Sequence, residues 1–145
     1  MTPDTLFQLS NSIALLGWCV LIIASPFWFA YDKLLIGIII TLFALAYFWL
    51  FVQNFKFSDL EKFSTLDGVM ELFTGKIAVT IAWLHFLAFD LMAGIWIKRN
   101  AVLHGIKHGI LLPCFFLTFM LGPVGILLYL LIRFIHTKQY FADNY

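Results

Sequence analysis

Apolar residues run along this chain in long blocks rather than in alternation with polar ones. Thr5 to Tyr31, Leu34 to Phe55 and Gly109 to Ile132 carry no charged side chain. A helix needs roughly 20 mainly apolar residues to cross the hydrocarbon core of a bilayer. The pattern predicts four such helices, at about 6–25, 34–53, 77–97 and 109–134. The fold class it implies is an all-α integral membrane protein, with residues 1–145 forming a single membrane domain. Four crossings place both termini on one side.

Between the second and third blocks the pattern changes. In SDLEKFSTLDGVMELFTGK, Leu60, Phe63, Met70 and Phe73 recur at helical spacing among charges. Ser58 with Glu61, and Ser64 with Asp67, have capping-box spacing. This predicts a short amphipathic segment over about 58–74, lying at the membrane surface. Ser25-Pro26 predicts a sharp end to the first helix, because proline disfavours helix in the residue before it. Pro123, inside Leu-Gly-Pro-Val-Gly, predicts a kink that strains the carbonyl of Phe119. Trp28, Tyr31, Tyr47 and Trp49 suit headgroup-level anchors.

Composition agrees with the pattern. Hydrophobic residues make up 63% of the chain and charged ones 12%, where a soluble domain carries about a quarter. The net charge of +1 gives no electrostatic case for nucleic acid. With both termini on one side, Lys56, Lys62, Lys76, Arg133 and Lys138 face Lys33, Lys98, Arg99 and Lys107 across the membrane. That division barely biases orientation. No basic leader precedes the first block, so it reads as a retained helix in a bacterial inner membrane. Cys19 and Cys114 fall inside predicted spans and read as apolar packing residues.

Candidate chemistry lies in the third block. Asp90 is the only formally charged residue between Ile77 and Ile97. An acid at the centre of a membrane helix costs about 2.5–3.5 kcal/mol on insertion scales, and such residues face protein or water. His85 shares the helix. The two are about 140° apart around it and about 7.5 Å apart along it, so each looks to a different neighbour. Arg133 is the best intramolecular cation for Asp90, although long arginines more often reach outward. A carboxyl that stays neutral there is a proton donor, and a neutral imidazole is a base. His104 and His108 have i,i+4 spacing but lie in a connection without a carboxylate, so no metal site is expected.

The stretch from Trp83 to Arg133 carries W-x-H-x-L-A-F-D-L-x-x-G-x-W, a basic connection, P-C, L-T, and G-P-V-G before a Tyr and an Arg. In that order of residues the chain resembles the abscisic-acid-deficient family of small membrane proteins, implicated in plant neoxanthin synthesis. The resemblance implies an isoprenoid or carotenoid substrate and an acid–base isomerisation of an epoxide group by His85 and Asp90. It further implies substrate contacts from Trp83, Gly94, Thr118, Gly122, Pro123, Tyr129 and Arg133. The chemistry involves no net redox change and requires no cofactor. Two other readings stay open. One is a non-catalytic pigment or lipid binder serving as a scaffold subunit of a membrane complex. The other is an oligomeric proton or small-solute transporter with Asp90 as relay. Expected partners are membrane lipid, a hydrophobic isoprenoid, and a homo-oligomer or complex partner.

Overall fold

Local signals in the sequence set the helix ends. Thr2 Oγ1 accepts the Thr5 amide at 3.2 Å, and Pro3 opens the first turn, where its missing amide costs nothing. In the computed structural model, residues 2–28 and 30–138 are described. The helices are α1 (Pro3–Ala24), α2 (Tyr31–Asn54), α3 (Leu66–Leu72), α4 (Lys76–Leu103), α5 (His108–Leu121) and α6 (Pro123–Thr137). A 3-10 segment, Phe57–Ser64, precedes α3. No strand occurs among the described residues. Helices α1, α2 and α4 are long and apolar enough to cross a membrane.

Helix α4 is the hub, packing against α1, α2 and α5. Small residues permit the close approach that apolar packing between helices needs. A Cβ on Gly94 would lie 2.7 Å from Leu21 and 2.8 Å from Trp18, so α1 closes on α4 only because that position is glycine. Trp18 then meets Phe119 of α5 edge-on, with ring centroids 5.7 Å apart. Near the other end, Trp83 Nε1 donates to Asn11 Oδ1 at 2.7 Å and fixes the register of α1 on α4.

The fourth predicted span is not one helix. Leu121 ends α5, and Gly122 turns the chain with φ 48°, ψ −94°, a conformation that side-chain-bearing residues avoid. Pro123 then occupies the first turn of α6, so it removes no internal hydrogen bond, and Phe119 is not the strained carbonyl the sequence suggested. The two limbs fold back on each other. A Cβ on Gly125 would collide with Thr118 Oγ1 and its backbone nitrogen, atoms that a continuous helix keeps about 10 Å away. The hairpin returns Thr137 to the end of the bundle where α4 finishes. Pro3 lies at the opposite end, where Lys76 pairs with Asp4 at 2.9 Å. The sequence expectation of both termini at one end therefore gives way to Pro3 and Thr137 at opposite ends of the bundle.

Smaller differences have simple causes. The cap of α3 is Thr65 and not Ser64, with Thr65 Oγ1 accepting the Gly68 amide at 3.1 Å. The 3-10 segment starts with the Lys56 amide donating to Asp59 Oδ2 at 3.0 Å, in place of a Ser58–Glu61 box. Tyr31 is buried, whereas Trp28 and Trp49 remain exposed as anchors would be.

Gly125→Ala is expected to lower the thermal midpoint of the detergent-solubilised protein, with an overpacking cost of about 1–3 kcal/mol. Gly37→Ala, where a Cβ meets no atom within 4 Å, serves as the matched control and stays within about 0.5 kcal/mol of wild type.

Candidate functional site

One face of α4 is left open toward α2. Ala78, Ala82 and Gly75 are small, and they leave a groove of about 500 Å³ between the two helices, floored by the 3-10 segment and α3. Ligand sites for small molecules fall within about 300–1,000 Å³. The walls are aromatic: Tyr47, Phe51, Phe55, Phe63, Phe73 and Phe86. Several rings form a ladder. Phe51 stacks on Phe55 at 4.4 Å and on Tyr47 at 5.8 Å, Tyr47 lies 5.9 Å from the His85 ring, and His85 stacks on Phe89 at 4.4 Å. Gly75 and His85 lie at the groove's two ends, about 15 Å apart along α4. Asn54 and Asp59 bring polar groups to the Gly75 end. There Lys62 donates to Glu71 at 2.8 Å, tying the 3-10 segment to α3, and that hydrogen bond raises the Lys62 ammonium above its ordinary range.

Asp90 faces elsewhere. Its Oδ1 would lie 2.7 Å from a Cβ on Gly122, so the carboxyl rests against the turn of the α5–α6 hairpin, where α6 begins. The amino end of a helix carries partial positive charge, which favours a carboxyl beside it. His85 and Asp90 thus look to different neighbours, as their angular separation predicts. Arg133 does not serve as the cation for Asp90: its Nη1 donates to Asn100 Oδ1 at 2.9 Å, ten residues further along α4 and about 15 Å away along the axis.

Asn100 gathers two of the residues implied by family resemblance. Tyr129 OH donates to the same Oδ1 at 2.6 Å, and all three side chains are buried. Trp83 and Gly94 face α1, and Thr118 Oγ1 donates to the Cys114 carbonyl at 2.8 Å inside the hairpin. Gly122 and Pro123 form the turn. None of these seven lines the aromatic groove.

A second polar network was hidden in the sequence. Proline has no amide, so Pro26 leaves the Ile22 carbonyl without its helical partner. His108 fills that vacancy, with Nε2 at 2.8 Å from the Ile22 oxygen. A carbonyl only accepts, so Nε2 carries the hydrogen and Nδ1 is left to accept from Lys98 Nζ at 3.0 Å. Lys98 is only 6% exposed, and its charged end is satisfied through this imidazole. His108 therefore acts as a strut between three helices rather than as part of a loop. The available signal was Pro26, which announces an orphaned carbonyl four residues earlier. Asn100 and the groove residues gave no comparable signal. Among the described residues, no three His, Cys, Asp or Glu side chains come together as a metal site.

Comparison with known proteins gives one match. The family model described as ABA DEFICIENT 4-like matches residues 5–129. No curated protein and no solved structure matches the chain.

His108→Phe is expected to lower thermal stability, because it strands the Ile22 carbonyl and Lys98 together, at about 1–3 kcal/mol for the carbonyl alone. Adding Pro26→Ala restores an amide donor to that carbonyl. The double variant should recover part of the loss, and a thermal double-mutant cycle measures the coupling.

Proposed function

The chain belongs to the ABA DEFICIENT 4-like family, and from that premise we propose that it is a membrane-embedded protein that takes an oxygenated carotenoid or related isoprenoid into its aromatic groove. The observation that carries this reading is the run of neighbouring rings from Phe55 through Phe51 and Tyr47 to His85, the first three stacked. A conjugated, water-insoluble chain matches such walls in shape and polarity. The lining offers an imidazole, His85, at the end away from Gly75, beside which an oxygenated ring would lie.

The reaction assigned to the site is isomerisation of an epoxide group to an allenic alcohol. One carbon–oxygen bond breaks, a vinylic hydrogen leaves as a proton, and the epoxide oxygen gains a proton, so atoms and electrons balance without a redox partner. His85 is the imidazole in the groove that we assign to move that proton, and general acid–base catalysis of this kind contributes about 10²–10⁴ in rate. Asp90, against Gly122, supports the hairpin in this reading. The paired acid–base assignment would need a substrate that reaches both faces of α4. A non-catalytic pigment binder is the second reading, favoured by that same separation of the two groups.

Expression in a host that makes epoxycarotenoids tests the set. The purified protein should carry carotenoid absorbance, and Phe51→Ala should reduce the bound pigment several-fold. His85→Gln should retain pigment and lose at least about 10²-fold in allene formation. Asp90→Asn should lower thermal stability more than it changes turnover. Pigment bound at fixed stoichiometry without any allene would select the binder. A colourless protein from that host would overturn both readings, and equal loss of turnover in both variants with an intact fold would restore the pair.

A further inference from the structure

The break at Gly122 re-sorts the charges of the whole chain. Helix α5 has 14 residues and α6 has 15, about 21 and 22 Å of helix, short of the roughly 30 Å of hydrocarbon that each would have to cross alone. Apolar helices of this length fit a re-entrant segment better than a span. The tip of the hairpin touches Asp90, midway along α4. Both open ends emerge where α4 finishes, with His108 on Lys98 and Arg133 on Asn100.

We propose that the chain crosses the membrane three times, with residues 108–137 dipping to mid-depth and returning to the side they left. Non-helical backbone at that depth is tolerated where protein buries it, and Gly122, itself buried, meets this condition against α4. The count of basic residues then becomes decisive. Lys33, Lys98, Arg99, Lys107, Arg133 and Lys138 lie at one end, and Lys56, Lys62 and Lys76 at the other. Four crossings would divide the nine as five against four; three crossings divide them six against three. Short connections rich in Lys and Arg stay on the cytoplasmic face, so the six mark that face, and the Pro3 end of α1 faces outward. Acidic residues follow the opposite trend. Asp4, Asp59, Glu61, Asp67 and Glu71 share the outer end, while Asp32, 3.6 Å from Arg99, is the acid of the basic end among the described residues.

The consequence for function is a sidedness. The groove lies along the outer half of α4, from Gly75 to Phe86, so its isoprenoid ligand is taken from the leaflet away from the cytoplasm. This leaflet assignment rests on the groove reading above. The topology itself does not, and it is tested without any ligand.

Single cysteines placed by Glu61→Cys, Asp67→Cys, Lys107→Cys and Lys138→Cys in a Cys19→Ser, Cys114→Ala background are probed with a membrane-impermeant maleimide on intact bacterial cells. Positions 61 and 67 should label on intact cells, and 107 and 138 only after permeabilisation. A fluorescent protein fused after the unaltered chain, which fluoresces only in the cytoplasm, should light up and guards against misfolding of the cysteine-free background. Labelling of 138 together with 67 on intact cells, or a dark fusion while 107 stays unlabelled on intact cells, would overturn the re-entrant hairpin. Labelling of 107 but not 61 would overturn the orientation. With the topology upheld, pigment loss in Phe51→Ala still tests the groove separately.

Discussion

A polypeptide inside hydrocarbon has to satisfy its backbone amides and carbonyls from within the protein, because no water is there to do it. Two breaks, at Pro26 and Gly122, bear on the arrangement of the buried polar residues through how each is met. At Pro26 the orphaned Ile22 carbonyl is met by His108. At Gly122 the turn is buried against α4, its amide bonded to the Thr118 carbonyl at 2.9 Å and Asp90 beside it. Both repairs are made by the segment from His108 to Pro123 lying against α1 and α4. That segment is held in turn by the contacts of Gly94, Gly125 and Trp18.

These repairs account for buried charge that would otherwise be costly. A buried polar group that loses its hydrogen-bond partner bears the full cost of its desolvation. Lys98 therefore depends on His108, whose tautomer is fixed by a carbonyl of another helix. Asn100 plays the matching part for Tyr129 and Arg133, as a single amide oxygen taking two donors. The two networks sit two residues apart on α4. Together they lock α1, α5 and α6 to its second half.

Much of the architecture is legible in the apolar blocks. Three spans lie within a few residues of their expected places, and Ser25-Pro26 ends the first as proline chemistry requires. The position of Asp90 and His85 on separate faces follows from 100° per residue alone. The fourth block misleads because a run of apolar residues has no direction: the 24 uncharged residues from Gly109 to Ile132 make one span or two half-length limbs, and only the turn decides. Gly122-Pro123 held that information. Glycine reaches φ 48° without penalty and proline restarts a helix, but the same pair also suits a kink inside a continuous helix. The aromatic groove was illegible for a different reason. Tyr47, Phe51 and Phe55 recur every four residues, which marks one face of α2 but not whether protein, lipid or ligand covers it.

The two halves of α4 differ in a way that bears on what the molecule does. From Leu91 onward it buries seven residues, and before that only Thr80 and Leu84. The half that carries the polar networks is therefore packed on several sides, while the half that lines the groove is covered on one. Packed cores resist displacement, and sparsely contacted segments open at low free energy. A ligand arriving from lipid needs an adaptable wall, and a proton-moving imidazole needs a fixed backbone. His85 lies near the boundary between the halves, less than two turns before Leu91 and at the end of the groove away from Gly75. Its ring is held by Phe89 and Tyr47 rather than by a hydrogen bond among the described residues.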